Sequence, residues 1–262
     1  MAIAARHGFT RENVLADVVI PEDGPDTVTT LAVNQRFIKT AKVSRLFLDA
    51  DVLIAVSHFK GHLMTGFGGA LKNIGMGCAS REGKLAQHSD LSPIVYQKAC
   101  VGCGACVRVC PVVAISLTNG KAVIDGKKCV GCASCLAACD YHAMDVKWES
   151  GGSTIQEKMV EYAKAVLDRQ EAKGVFFNFA LKITKECDCL AQDDPRICPD
   201  IGIFVSTDAV AVDKACYDQV VRACGRDIFK EVHPQRDALR QLHYAAELGA
   251  GTMEYELLEM AR

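Results

Sequence analysis

Eight cysteines between Cys100 and Cys139 constrain this chain more than any other feature. They fall in two runs, CVGCGACVRVCP and CVGCASCLAACD, each spaced Cys-x2-Cys-x2-Cys-x3-Cys. A cubane cluster needs four thiolates converging from different directions. Gaps of two residues wrap three of them around one cube, and the fourth, past a short helical turn, faces the other cube. The spacing therefore assigns Cys100, Cys103, Cys106 and Cys139 to one [4Fe–4S] cluster, and Cys129, Cys132, Cys135 and Cys110 to a second.

Zinc and disulfides are the competing readings. Zinc favours two separated ligand pairs, which a triple plus a distant fourth fits badly. Disulfides need an oxidising compartment. The first residues, MAIAARHGFTRENVL, lack the continuous apolar core of a signal peptide. Fourteen cysteines without an export signal point to a reducing cytoplasm where thiolates bind metal. Pro111 follows the first run as it does in bacterial two-cluster ferredoxins, whereas Asp140 follows the second, which alters the turn there but removes no ligand.

At 262 residues the chain has room for one large domain or two ordinary ones. Its net charge of −2 gives no basic footprint for nucleic acid. No apolar run approaches the length of a membrane span.

The second informative stretch begins at Asp51–Ser57 (DVLIAVS), an apolar run that suits a strand buried on both faces of a parallel sheet. HFKGHLMTGFGGALKNIGMGCASREGKLAQH follows, from His58 to His88. A strand ending in His58, Lys60, His62 and a glycine cluster puts polar groups at its carboxyl end, where open α/β sheets bind ligands. Gly66, Gly68 and Gly69 allow close backbone approach, and the helix they open can offer its N-terminus to an anion. Neither Gly-x-Gly-x-x-Gly nor a Walker A loop is present, so no nucleotide is implied. A glycine-rich turn with solvated histidines is the plainer alternative.

Elsewhere, Thr10 caps a first helical turn, PEDGPD is a loop and Thr27–Val33 alternates as a strand. Short strands are expected at 93–97, 114–117, 121–124 and 143–148, with short helices at 105–109 and 133–138. Ser153 and Gln156 read as a capping box opening a helix over 154–173. Val175–Ile183 and Ile201–Ser206 read as strands. Thr207 or Asp208 caps a helix to about Ala223, a further helix covers 235–248, and the tail 253–260 adds a last helical stretch. Cys216 and Cys224 are expected in the core. Cys187 and Cys189 bracket Asp188 and share a metal only if the backbone turns, which Asp193-Asp194-Pro195 provides; Cys198 would bring a third thiolate. Free thiols near a loop are an equal alternative.

This order of motifs resembles a family of uncharacterised iron–sulfur-centre proteins. The matching residues are Ser57–Asp90, the double cysteine run, CDC at Cys187–Cys189 and PDIGIFVSTDAVAVDKACYD at Pro199–Asp218. The resemblance implies an α/β domain, 1–91 and 150–262, interrupted by a ferredoxin-type module over 92–149. Its sheet would be mixed and mostly parallel with flanking helices. Members are usually longer at the front, which implies a segment missing or dispensable here. A second likeness links residues 51–88 to the N-terminal domain of nickel-pincer lactate racemases. It implies a proton-transfer role for His62, a cofactor tether at Lys72 and a nickel ligand at His88. That family's Arg-rich motif and its other catalytic histidine have no counterpart here, and one more residue separates Gly69 from Lys72 than in the family's Gly-Gly-x-Lys.

The expected function is electron transfer through two clusters to or from a pocket in the α/β domain, as a ferredoxin-linked oxidoreductase or its electron-input subunit. His62, Lys72 and His58 are the expected catalytic groups. Lys60, Gly66, Gly68, Gly69 and His88 are expected to bind a small anionic substrate, a cofactor or a further metal. A redox partner protein is expected. Two alternatives stay open: a carrier whose α/β part only docks partners, and an isomerase-type pocket with structural clusters.

Overall fold

The computed structural model describes residues 2–21, 23–88, 93–110, 112–129, 134–145, 153–170, 173–187 and 194–260. Two short helices, α1 (Ala2–Arg6) and α2 (Arg11–Val14), open the chain at the surface and bury no side chain. Thr10 caps α2 by accepting the Asn13 N–H. β1 (Val28–Ala32) and β2 (Thr40–Ser44) form an antiparallel ribbon. α3 (Arg45–Leu48) leads into β3 (Leu53–His58), which is followed by a small hairpin of β4 (Lys60–His62) and β5 (Gly66–Gly68). α4 (Ala70–Gly77) and α5 (Arg81–His88) complete this half.

The cysteine-rich insertion is built from three pairs of short elements. β6 (Ile94–Val95) pairs with β9 (Met144–Asp145), and β7 (Ile115–Thr118) pairs with β8 (Lys121–Ile124), both antiparallel. α6 (Ala105–Arg108) and α7 (Ser134–Ala137) carry the middle of each cysteine run. Its small core joins Cys100, Cys106 and Cys135 with Ile115, Ala122, Leu136, Ala143 and Met144.

The chain then returns to the first half. α8 (Ser153–Arg169) buries Ile155, Met159, Tyr162 and Val166 along one face, as the 3.6-residue period requires. β10 (Gly174–Ala180) lies between β3, parallel to it, and β11 (Gly202–Ser206), antiparallel. Strands from before and after the insertion therefore share one mixed sheet. α9 (Ala209–Cys224) is capped by Asp208, which accepts from Val210 and Ala211, and is stopped by Gly225 in the left-handed region at φ 67°. α10 (Ile228–Val232) and α11 (Arg240–Glu247) finish the helical layer.

Four expectations are corrected here. β3 is not buried on both faces: Ile54 and Val56 are exposed, as are Ile203 and Val205 on β11, while Ala55 and Ser57 face the core. Helices cover only one face of the sheet, so the apolar run alternates in burial. Gln156 does not close a capping box; buried, it donates to the carbonyls of Thr65 and Asp237. Pro234 and the Asp237 side chain, which accepts from Leu239, form a turn, so the last helix starts at Arg240. The tail to Met260 is not helical; Thr252 donates to Asp208 and Tyr255 to Asp218 instead.

Candidate functional site

In the insertion, one cavity is lined by Cys100, Cys103, Cys106 and Cys139, together with Tyr141 and Met144. Three of these thiols come from the first run and the fourth from the second, the grouping expected from spacing. Cys103 is exposed, whereas Cys100 and Cys106 are buried. Backbone N–H groups point at the sulfurs: Ala122 at Cys100 (3.4 Å), Ala114 at Cys110 (3.2 Å) and Ala143 at Cys139 (3.3 Å). The donors at Ala122 and Gly102 pull the Cys100 thiol below its ordinary range, which favours thiolate, the form that binds metal. Burial pushes Cys106 the other way. Among the described residues no three His, Cys, Asp or Glu side chains approach as ligands of a single ion. Four thiols around a cavity fit a polynuclear group. Cys135 belongs to this core and Cys110 packs on it, Cys129 is partly buried, and Cys132 lies outside the described residues.

The second site is a cleft of about 530 Å³ at the carboxyl end of β3. It gathers His58, Lys60 and His62 from β3 and the hairpin, Gly69 and Lys72 from the start of α4, and Lys84 and His88 from α5. Among the described residues the wall carries three lysines and three histidines but no carboxylate. Such a surface, partly shielded from water, attracts anions. The Lys72 ammonium lies 3.3 Å from Cys187 Sγ, which brings the 183–187 segment to the edge of the cleft. Cys189 lies outside the described residues.

The hairpin that aims His62 is held from behind. Gln241 donates to the carbonyls of Thr65 and Phe67, and Phe59 and Phe67 pack on Tyr217 and Phe229 with ring centroids 5.0–5.9 Å apart. His62 Nδ1 accepts the N–H groups of Met64 and Thr65, both at 3.2 Å. The ring proton therefore sits on Nε2. Burial, then the charges of Lys72 and Lys60, hold His62 well below its ordinary value. At neutral pH it is an uncharged hydrogen-bond donor. His58 Nε2 lies 2.9 Å from the Leu181 carbonyl and is partly buried.

The helix N-terminus expected to receive an anion already holds one. Asp213, on α9 and fully buried, accepts the N–H of Ala70 at 2.6 Å and that of Leu71 at 3.0 Å, and Asn178 donates to it at 2.6 Å. A side chain on Gly69 would collide with that carboxylate. Gly66 is likewise required by internal packing, while at Gly68 only the flexible Lys72 side chain would have to shift. A Cβ on Gly68 would lie 2.7 Å from the Lys72 chain. Gly66 adopts φ +80°, and its Cβ would lie 2.6 Å from that of Ala238. Gly66→Ala should cost about 2–4 kcal/mol, from left-handed strain plus overpacking, read as a lowered thermal midpoint; a change below about 0.5 kcal/mol would contradict this packing.

Cys198 has a thiol neighbour on α9. Burial raises it to about 12, and it sits 3.0 Å from Cys224 Sγ. Cys216 is fully buried, as expected for a core thiol, while Cys224 is only half-buried. Sequence reasoning missed Lys84, Asn73 and Asp213. Lys84 had a legible signal, since it stands one helical turn before His88; Asp213 is distant in sequence and had none.

A 32-residue stretch, 12% of the chain, is 59% identical to Ferredoxin-2 of Desulfomicrobium norvegicum. The chain spans about half, 54%, of that relative's length. The segment has ferredoxin-like sequence and the cysteines to bind iron and sulfide. A family model described as a domain of unknown function, DUF362, matches residues 1–218, most of the chain, which belongs to that family.

Proposed function

We propose that the protein is a cytoplasmic iron–sulfur redox protein in which two [4Fe–4S] clusters exchange electrons with a small anion held in the basic cleft. It would work as a ferredoxin-linked oxidoreductase or its electron-input subunit, fed by a redox partner protein. The observation that carries this reading is the lining of one cavity by Cys100, Cys103 and Cys106 together with Cys139 from the other run. Cys110, Cys129, Cys132 and Cys135 would hold the second cluster. Bound there, such clusters supply single electrons at low potential. The chain's own groups do the rest: Lys60, Lys72 and Lys84 bind the anion, and His62 donates a hydrogen bond from Nε2 to an oxygen that gains charge. Lys72 also links the cleft to Cys187.

Protein purified without oxygen should hold about eight iron and eight acid-labile sulfide. Cys103→Ala should remove about half, and Cys135→Ala the other half. Zinc at comparable stoichiometry would sink the assignment. A second reading, a redox-neutral isomerase with structural clusters and a pincer-like metal complex on Lys72 and His88, is favoured by one fact: His62, Lys72 and His88 line a single cleft. Reversible one-electron reduction of the clusters separates the two readings. A carrier that only docks partners leaves the gathering of basic groups unexplained.

A further inference from the structure

α5 presents three faces, each to a different part of the molecule. Gly83 and Gln87, four residues apart, face the core: a Cβ on Gly83 would lie 2.6 Å from the Lys42 carbonyl, and Gln87 donates to the Gly75 carbonyl at 2.9 Å. Lys84 and His88, also four apart, line the cleft. Glu82 and Leu85, three apart, face the insertion. Leu85 packs against the cysteine core. Glu82 accepts from Lys42 at 2.6 Å and from the Ser134 hydroxyl, the first residue of α7 and the neighbour of Cys135. One short helix thus touches both the second cysteine run and the anion cleft.

Among the described residues the insertion has a small core. Its core contains Ile115, Ala122, Leu136, Ala143 and Met144, and the other buried members are Cys100, Cys106 and Cys135. A core this small depends on metal to fold. Where the second run loses its metal, α7 loses its order, and Leu85 and Glu82 lose what they rest on. The core face of α5 remains, so the helix stays docked but its cleft face is no longer fixed.

We propose that α5 transmits the metal state of the second cysteine run to the cleft: α7 positions α5, and α5 positions Lys84 and His88 over the anion site. The inference rests on the iron–sulfur reading above. Glu82 and Leu85 are positioning residues, since neither lines the cleft. By reciprocity, an anion that draws in Lys84 and His88 also favours the metal-filled state of the second run.

The test is hydrogen–deuterium exchange, with lysine acylation as a second readout, on the full chain purified without oxygen. Cys135→Ser should lose iron, and α5 amides should then exchange about tenfold faster, within the ordinary range of coupling between sites. Lys84 should be acylated faster by a similar factor, with Lys60 and the α4 amides unchanged. Leu85→Ala keeps every cysteine and should accelerate α5 exchange and Lys84 acylation in the same way with iron content intact. It therefore serves as the test if Cys135→Ser fails to fold. The inference is overturned if α5 and Lys84 behave as wild type in Leu85→Ala, or in Cys135→Ser that has lost its iron. Full iron retention in Cys135→Ser would instead overturn the iron–sulfur assignment beneath it.

Discussion

Asp213→Ala is expected to destabilise the fold by about 3–5 kcal/mol in urea unfolding at pH 7. The carboxylate is fully buried and accepts from Ala70, Leu71 and Asn178. Alanine leaves all three donors unsatisfied inside the core, at the start of the helix that carries Lys72. Asp213→Asn should cost less, because it keeps one acceptor oxygen and removes a buried charge, but its amide N–H groups oppose one of the two backbone donors. The pH dependence gives a sharper signature. Burial raises the Asp213 carboxyl from 3.8 to about 6, against the pull of Asn178, Leu71, Ala70 and Lys60. A folded value above the unfolded one means that the folded chain holds this proton more tightly. Its stabilising contribution is fully present below about 3.8 and is lost as pH rises through about 6. The wild type should therefore gain stability relative to Asp213→Asn on going from pH 7 to pH 5. His62 acts in the opposite sense: its lowered value stabilises the fold above its ordinary 6.5, and that contribution is lost on acidification. Comparison with Asp213→Asn at each pH isolates the aspartate. A loss below about 1 kcal/mol in Asp213→Ala would show that water satisfies the helix start.

Lys72→Met should weaken binding of inorganic phosphate, a probe for the cleft, by about 10- to 100-fold in calorimetry at low salt. Methionine keeps an unbranched chain where Gly68 makes room for one and removes the ammonium, with its charge and its contact to Cys187. The loss should shrink as salt rises, since screening already weakens the wild-type interaction. A second readout needs no ligand. Lys72 is the largest charge holding His62 down, after burial. In Lys72→Met the His62 titration should therefore move up towards 6.5, visible in the imidazole resonances. An unmoved His62 would place the ammonium elsewhere than in the cleft. Absence of phosphate binding by the wild type would remove the anion reading itself.

The parts of this protein legible in its sequence are those encoded locally. The cysteine spacing announced the insertion, because a cubane dictates its ligand gaps within a dozen residues. The α8 stripe was legible, and so was the cap of α9 to within Thr207 or Asp208, since each depends on residues one or two turns apart. His58, Lys60, His62, Lys72 and His88 were picked out as one group, and the structure lines one cleft with all five. What failed was long-range. Gln156 stands where a capping box would use it, yet two carbonyls far along the chain claim its amide. Gly69 does line the cleft, but what an added side chain would meet at Gly66 and Gly69, Ala238 and Asp213, is far along the chain and was not legible. Ile54 and Val56 looked like core, and only the distribution of helices over the sheet decides otherwise.

The parallel pairing of β3 with β10 also bears on the order in which the protein assembles. Leu53 sits opposite Gly174, so the central sheet cannot close until a loop of roughly 120 residues has been spanned, and the entropy of that closure precedes any reward from the contacts it makes. The insertion, by contrast, closes over shorter spans, with Ile115 opposite Ile124 and, at its widest, Ile94 opposite Asp145. During synthesis the cysteine-bearing segment is therefore complete while its host is still open, because β10, β11 and α9 emerge later. Closure of the sheet then proceeds around a finished insertion. The two halves of the sheet thus stay apart until the whole cysteine-bearing segment has been made.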